Sequence, residues 1–239
     1  MPLITSPQAA ERFLDRAGIT LRYGATASLP LASLQRAFAG DDPDKAAATR
    51  ATALTNHLLE TMTGIEVHVI AGRVAIVHRR VMPALYVLVR RGRPQDDLSG
   101  LSLNARTALA LLRQRKEVSA GDVRHRLGLR ADPRDDPAYA ALGELMRILL
   151  VDRGPFEIPK KGIHYLPPEG YPYHLFHEAH ADLVAAAKKL SVERAADAFL
   201  SAYLKGIESV PPPRKLASMF KLFLSGAEIA ASLEHLEMA

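Results

Sequence analysis

Three short helix patterns and a β-type run follow one another in the middle of the chain, and this order constrains the fold more than any other feature. Ser102 caps the first helix pattern, and Ser119 opens the second with the Ser-x-x-Asp form of a capping box. One extended residue, Val118, separates these two helices. Pro137 begins a third helix pattern, and the run 163–166 predicts a β-ribbon after it.

This order of elements is that of a winged helix-turn-helix, a small domain that commonly places its third helix in the DNA major groove. Other three-helix domains with a hairpin share the order, and many winged helices bind proteins or form dimers. The aperiodic, turn-rich stretch 90–100 predicts a domain boundary. We therefore expect a central winged helix over residues 93–170.

The N-terminal part of the chain carries a similar mixture of helices and a hairpin. Ser6 is placed to cap a first helix, a second helix is predicted over residues 30–38, and Asp44 can cap a long Ala-rich helix. The β-branched segments on either side of Ala71-Gly72 predict a hairpin. Together these signals predict a winged-helix-like unit over residues 1–92.

Helical spacing of apolar residues continues through residues 171–239 and predicts a C-terminal region of packing or dimer helices, the first of them beginning directly after Tyr173. The apolar run 84–89 fits either a strand or a short helix, and its pattern leaves both open. The predicted fold class is mostly α with small β-hairpins (α+β), built from tandem winged helix-turn-helix units and a C-terminal helical region.

The positive charge is concentrated in one stretch. The chain has a formal net charge of +5, but residues 79–134 contain 13 Lys or Arg against 5 Asp or Glu. Such a segment favours a polyanion as partner, and we expect double-stranded DNA, because neutralised phosphates release counterions. The third helix offers Arg147 as its single cation and includes Glu144, so phosphate contacts should dominate over base contacts. The predicted DNA-binding residues are Arg113, Arg115, Lys116, Arg124, Arg126, Arg130, Arg147, Lys160 and Lys161.

Several function classes are excluded by what the sequence lacks. The chain has no cysteine, which removes disulfides, thiolate nucleophiles and cysteine-ligated metal sites. It has no apolar run of the roughly 20 residues that a bilayer requires and no signal-peptide pattern, so we expect no membrane partner and a cytoplasmic location. It contains no P-loop, dinucleotide-binding or nucleophile-elbow motif, and no cofactor is expected.

His174, His177 and His180, with Glu178 among them, have the residue types of a metal site. Two of these histidines could chelate one ion from adjacent positions of a helix. However, successive steps of three residues drift around a helix, and the HExxH motif is absent. The favoured interpretation is a solvated helix surface with no metal, and the sequence leaves metal binding by this cluster open.

Six short segments are spread over most of residues 8 to 155: Ala10–Gly18 (AERFLDRAG), Leu29–Leu34 (LPLASL), Met82–Leu88 (MPALYVL), Leu98–Ser102 (LSGLS), Leu142–Leu145 (LGEL) and Leu149–Val151 (LLV). These segments resemble proteins related to the AlkZ-type winged-helix DNA glycosylases. The resemblance implies tandem winged-helix units that act on alkylated or crosslinked duplex DNA. Catalytic members carry a Gln-x-Gln or Gln-x-Asp pair; this chain has no Gln-x-Gln, and Gln95-Asp96-Asp97, in the turn-rich linker, is interpreted as coincidence. No catalytic residue is therefore assigned.

Two functions from different classes remain. The first is a DNA-binding winged-helix protein linked to recognition or repair of alkylated or crosslinked DNA, a glycosylase-like hydrolase if it is catalytic. The second is a winged-helix regulatory or protein-interaction protein without catalysis. The sequence leaves homodimerisation, the lesion and any DNA sequence preference open.

Overall fold

The computed structural model describes residues 3–24, 29–130, 135–154, 171–207 and 209–237. The chain forms two compact units: the first comprises Met1–Arg91 with Asp182–Ala239, and the second comprises Gly92–Ala181. The described residues are mostly helical with two small antiparallel sheets, which confirms the α+β class.

In chain order, the elements are α1 (Pro7–Ala17), β1 (Ile19–Leu21), α2 (Leu34–Ala39), α3 (Lys45–Glu60), β2 (Gly64–Ile70), β3 (Arg73–His78), α4 (Met82–Arg90), α5 (Leu103–Arg115), β4 (Glu117–Val118), α6 (Ala120–Leu127), α7 (Pro137–Arg147), β5 (Val151–Arg153), β6 (Tyr173–Leu175), α8 (Phe176–Ala179), α9 (Ala181–Ala187), α10 (Val192–Lys205), α11 (Pro213–Phe220) and α12 (Gly226–Glu237).

Local capping signals determine where the first helices of the first unit begin. Ser6 and Asp44 cap α1 and α3 as predicted, each accepting a hydrogen bond from a backbone N–H of the first turn. The predicted helix over 30–38 begins only at Leu34, because the preceding residues are extended and pair with β1: the Leu21 N–H donates to the Ala32 carbonyl at 2.8 Å. The sequence pattern of this segment showed its apolar spacing but not its strand partner.

The sheet of the first unit has the strand order β1-β3-β2, with both pairs antiparallel. Ala71 and Gly72, at φ values of 51° and 65°, form the predicted turn between β2 and β3. Residues 84–89, whose pattern fitted either a strand or a helix, belong to the helix α4. This helix is buried on most of its sides, which is why its sequence shows no polar face.

The C-terminal helices α10, α11 and α12 pack within the first unit. The rings of Phe199 and Phe220 meet edge to face at 5.1 Å, and Tyr203 and Phe220 do so at the same centroid distance. The helix α10 also lies so close to α1 that a Cβ atom at Gly206 would collide with the carbonyl oxygen of Ala17. The sequence predicts three regions, 1–92, 93–170 and 171–239, whereas the structure groups the chain into two units. The C-terminal helices belong to the first unit, where their aromatic side chains are buried.

The second unit is built from α5, β4, α6, α7, β5, β6 and α8. Ser102 caps α5, and Ser119 forms the predicted capping box at the start of α6. The three strands form an antiparallel sheet in the order β4-β6-β5. Residues 173–175, predicted to lead into a helix, form the central strand of this sheet, with Tyr173 and Leu175 buried in the core. The predicted β run 163–166 lies outside the described residues.

The two units share one order of elements. In each, a helix, a short strand and two further helices are followed by two strands, and the last strand lies between the other two in the sheet. The third helix is α3 in the first unit and α7 in the second. Sequence similarity between the two segments is negligible, so the shared topology emerges only from the strand pairing.

Candidate nucleic-acid interface

The outward side of α7 carries small side chains and one cation. The apolar residues of this helix recur at helical spacing and are buried in the core of the unit. On the other side, Ala140 and Arg147 are exposed, and a Cβ atom added at Gly143 would meet no other atom within 4 Å. Small side chains on this side allow a partner to approach the helix backbone closely.

The acidic residue of α7 has a structural partner. Glu144 Oε2 accepts a hydrogen bond from the backbone N–H of Ser102 at 2.9 Å. A glutamate at the third position of α5 would normally make this bond in a capping box, but Ala105 stands there. Glu144 therefore completes the cap of α5 from another helix, and this role accounts for an acid on a helix predicted to face DNA.

A buried network fixes α7 against the sheet. Arg153, on β5, donates from Nη1 to the Tyr139 hydroxyl at 2.8 Å, and its guanidinium lies 4.2 Å from the centre of the Tyr171 ring. Burial raises the pKa of the Tyr173 hydroxyl well above its ordinary value, so this phenol stays neutral at physiological pH. The bond between Arg153 and Tyr139 thus ties α7 to the strand β5.

Two of the predicted DNA-binding cations are exposed but already bonded. Arg113 Nη2 donates to the Gln95 carbonyl at 3.0 Å, and Arg115 Nη1 donates to Asp122 Oδ1 at 3.1 Å. Asp122 is itself held by the capping box with Ser119. Exposed pairs of this kind contribute only about 0.2–1 kcal/mol, so both arginines can exchange their partners for a phosphate.

Four predicted cations are exposed and form no ion pair with another described residue. They belong to the ends of three helices and to the segment after α6, and they are Lys116, Arg126, Arg130 and Arg147. Lys160 and Lys161 lie outside the described residues. The structure brings Arg126 beside α5.

Arg124 lies in the interior rather than on the surface. Its relative exposure is 4%, and Nη1 donates to the carboxylate of Asp136, which also caps α7. Residues two positions apart on a helix point to roughly opposite sides, and the sequence signal does not show which side of α6 packs against the rest of the unit. We omit Arg124 from the candidate interface.

The charge of the second unit is balanced. Residues 92–181 contain 13 Lys or Arg and 12 Asp or Glu, a formal net charge of +1. The basic stretch 79–134 begins in the first unit, and most of the acidic residues of the second unit follow it in the chain. Attraction of a polyanion therefore depends on which charges are exposed and unpaired.

Two of the three histidines of the predicted cluster have different acidic partners. His174, on β6, lies 3.6 Å from Glu117. His180 is buried and bonds through Nε2 to Asp152 Oδ2 at 2.8 Å, while its ring packs 4.7 Å from that of Phe176. Within the described ranges, no group of three or more His, Asp or Glu side chains could hold a metal ion.

The sequence analysis missed one cation, Arg106. Its guanidinium lines a cleft where α6 meets α5, together with Arg126, which was predicted. The spacing of 106, 110 and 114 places these residues of α5 on one side of the helix, but a helical projection of α5 does not show that α6 packs beside them. We call this feature the α5–α6 cleft; its lining consists of Arg106, Thr107, Ala110, Leu111, Gln114 and Arg126.

No family model, curated protein or solved structure matches the chain. Among the described helices, none is both long enough and apolar enough to cross a bilayer. The function must therefore be argued from the geometry of the chain itself.

Proposed function

We propose that this protein binds duplex DNA through a winged helix formed by residues of its second unit. The observation that carries the proposal is the element order of the unit, together with the strand order β4-β6-β5. In winged helices of this topology, the third helix enters the major groove and the strands after it form the wing. The helix in that position here is α7.

The side chains of the interface suit contacts to the DNA backbone. Lys116, Arg130 and Arg147 are exposed cations without ion pairs among the described residues, and Arg113 and Arg115 have only exchangeable partners. Such residues position a protein on the duplex by contacting phosphates but do not specify a sequence. We accordingly propose non-specific or shape-dependent binding, with the small outward side chains of α7 allowing close approach to a groove.

The first unit has the same order of elements, and we propose that it is a second winged helix in tandem with the first. The AlkZ-type resemblance adds a class of target, duplex DNA that carries an alkylated base or a crosslink. It assigns no catalytic residue. Gln95 and Asp97 lie in the turn before α5, where their groups bond Arg113 and the Ser99 N–H.

Binding is tested by fluorescence anisotropy with a labelled duplex and the full chain. The test variant Ala140→Glu places a negative charge on the exposed side of α7, and we expect duplex affinity to fall about tenfold or more from a Kd near the roughly 10⁻⁴–10⁻⁶ M of non-specific binding. The matched control, Ala198→Glu, makes the same change at an exposed position of α10 and should bind like the unmodified chain. Absence of binding at low salt, or equal losses in both variants, would refute the proposal.

The repair part of the proposal needs a second experiment. Duplexes with and without an alkylated base are incubated with the protein and then heated in alkali, which cleaves the strand at abasic sites. Tighter binding to the alkylated duplex supports damage recognition, and strand cleavage at the lesion supports base excision. Equal affinity without cleavage would remove the damage-specific part and leave general DNA binding.

A second candidate function is binding of a protein or of a second copy of this chain through α7. The formal charge of +1 on residues 92–181 favours it, because a protein interface does not require excess positive charge. Light scattering after size exclusion distinguishes the two candidates. A dimer that Ala140→Glu converts to monomer, in a protein that does not bind DNA, would establish the protein interface.

A further inference from the structure

The α5–α6 cleft has a volume of about 270 Å³ and combines cationic, polar and apolar groups. Arg106 and Gln114 come from α5, and Arg126 comes from α6. Ala110 and Leu111 supply the apolar part of the wall. No acidic residue is among the side chains that line the cleft.

The two arginines have donors available for an anion. Arg106 Nε donates to the Leu101 carbonyl at 3.1 Å, which holds the guanidinium at the wall and leaves its two terminal nitrogens for other partners. Neither Arg106 nor Arg126 forms an ion pair with any described residue. Thr107 donates its hydroxyl proton to the Leu103 carbonyl at 2.9 Å, so its oxygen can still accept a hydrogen bond.

Two acids close in sequence to the residues of the cleft are occupied elsewhere. Asp122 bonds Ser119 and Arg115, and Glu117 lies beside His174. The positive charge of the cleft is therefore not neutralised by these carboxylates. Two arginines that line one small cleft suit recognition of phosphate oxygens, since each guanidinium can donate two parallel hydrogen bonds.

From this geometry we infer that the α5–α6 cleft is a binding site for a phosphate group, with Arg106 and Arg126 as the ligating residues and Gln114 as an additional donor. The volume lies just below the roughly 300–1,000 Å³ of typical small-molecule sites, so it suits a phosphate with a small attached group rather than a large cofactor. The phosphate can come from the DNA backbone or from a free nucleotide. The inference does not depend on the proposed function of α7.

Nuclear magnetic resonance of the ¹⁵N-labelled full chain tests the site with two probes, inorganic phosphate and AMP. We expect saturable shifts of the backbone amides of Thr107 and Gln114, with AMP binding more tightly than phosphate because its ribose adds contacts. Arg126→Gln should weaken binding of both probes about tenfold, the effect of losing one charge-assisted contact. Arg194→Gln, which removes an exposed cation from α10, is the matched control and should leave both affinities unchanged.

Arg106→Gln serves as a second variant, with a thermal melt to establish that α5 remains folded after loss of the bond to Leu101. Absence of shifts up to about 20 mM of either probe, well above the millimolar Kd of weak sites, would overturn the inference. Equal affinities for unmodified chain and Arg126→Gln would overturn it as well.

Competition identifies the source of the phosphate. If duplex DNA displaces AMP from the cleft, the cleft binds a backbone phosphate; if both bind together, it binds a free nucleotide. Failure of the duplex to bind at all would refute the proposed function but would leave the phosphate and AMP titrations fully interpretable.

Discussion

Replacing Arg124 with glutamate should destabilise the second unit, although the same change at the neighbouring Arg126 should leave its stability unaltered. Arg124 is 4% exposed and bonds Asp136, whose side chain is 12% exposed. The substitution breaks a buried ion pair, which costs about 3–5 kcal/mol, and places two carboxylates opposite each other. A domain has only about 5–15 kcal/mol of stability, so a large part of it would be lost.

A double substitution distinguishes loss of the ion pair from loss of the helix cap that Asp136 also provides. Arg124→Met removes the cation, and Asp136→Asn removes the anion but keeps an acceptor for the Ala138 N–H, which Asp136 Oδ1 now binds at 3.0 Å. Because an apolar replacement of a buried pair is often neutral, the double variant should lie within about 1.5 kcal/mol of the unmodified chain, and each single variant should be less stable than the double variant.

The assay is urea unfolding of the full chain followed by circular dichroism, with hydrogen exchange to assign the loss to residues 92–181. Arg126→Glu is the exposed control and should change the free energy of unfolding by no more than about 0.5 kcal/mol. If Arg124→Glu were as stable as this control while its duplex affinity fell, Arg124 would act at the surface and the reasoning from burial would be refuted.

Three further predictions concern binding, acid sensitivity and packing. Arg147→Gln should reduce the slope of log K against log salt for duplex binding by about 0.9, the contribution of one phosphate contact, and an unchanged slope would exclude Arg147 from the interface. Hydrogen bonds from Arg91 lower the pKa of Glu228 from 4.5 to about 2, so the first unit should lose stability as the pH falls from 4.5 towards 2. Urea midpoints measured against pH should show a smaller loss in Glu228→Gln, and an identical loss would contradict the assignment. Gly206→Ala should destabilise the first unit by about 1–3 kcal/mol in urea unfolding, because α10 would have to move away from α1. Its control, Gly226→Ala, adds a methyl group in open space, and equal losses in the two variants would disprove the steric argument.

The candidate site could be predicted from the sequence only in part. The exposed positions of Lys116, Arg126 and Arg147 fit their places near helix ends, where cations are stabilised by the helix dipole. Arg124 has the same local signals, yet it is buried because Asp136, twelve residues later, provides a partner. Arg106 was missed because its importance depends on where α6 packs, and no pattern within α5 contains that information.

The same difference between local signals and partners distant in sequence applies to the fold. The sequence alone determined the starts of α1, α3, α5 and α6, since a cap requires only a side chain and the backbone N–H groups two or three residues later. It also determined the hairpin turn at Ala71-Gly72, because Gly72 tolerates the positive φ that a two-residue turn requires.

Only the tertiary structure decided which segments share a core. Residues 173–175 become a central strand because two other short strands offer them backbone partners, and the helices after residue 182 join the first unit because α1 and α4 offer them an apolar surface. Capping and turn formation depend on neighbours in sequence, whereas burial and strand pairing depend on groups that the chain brings together only when it folds.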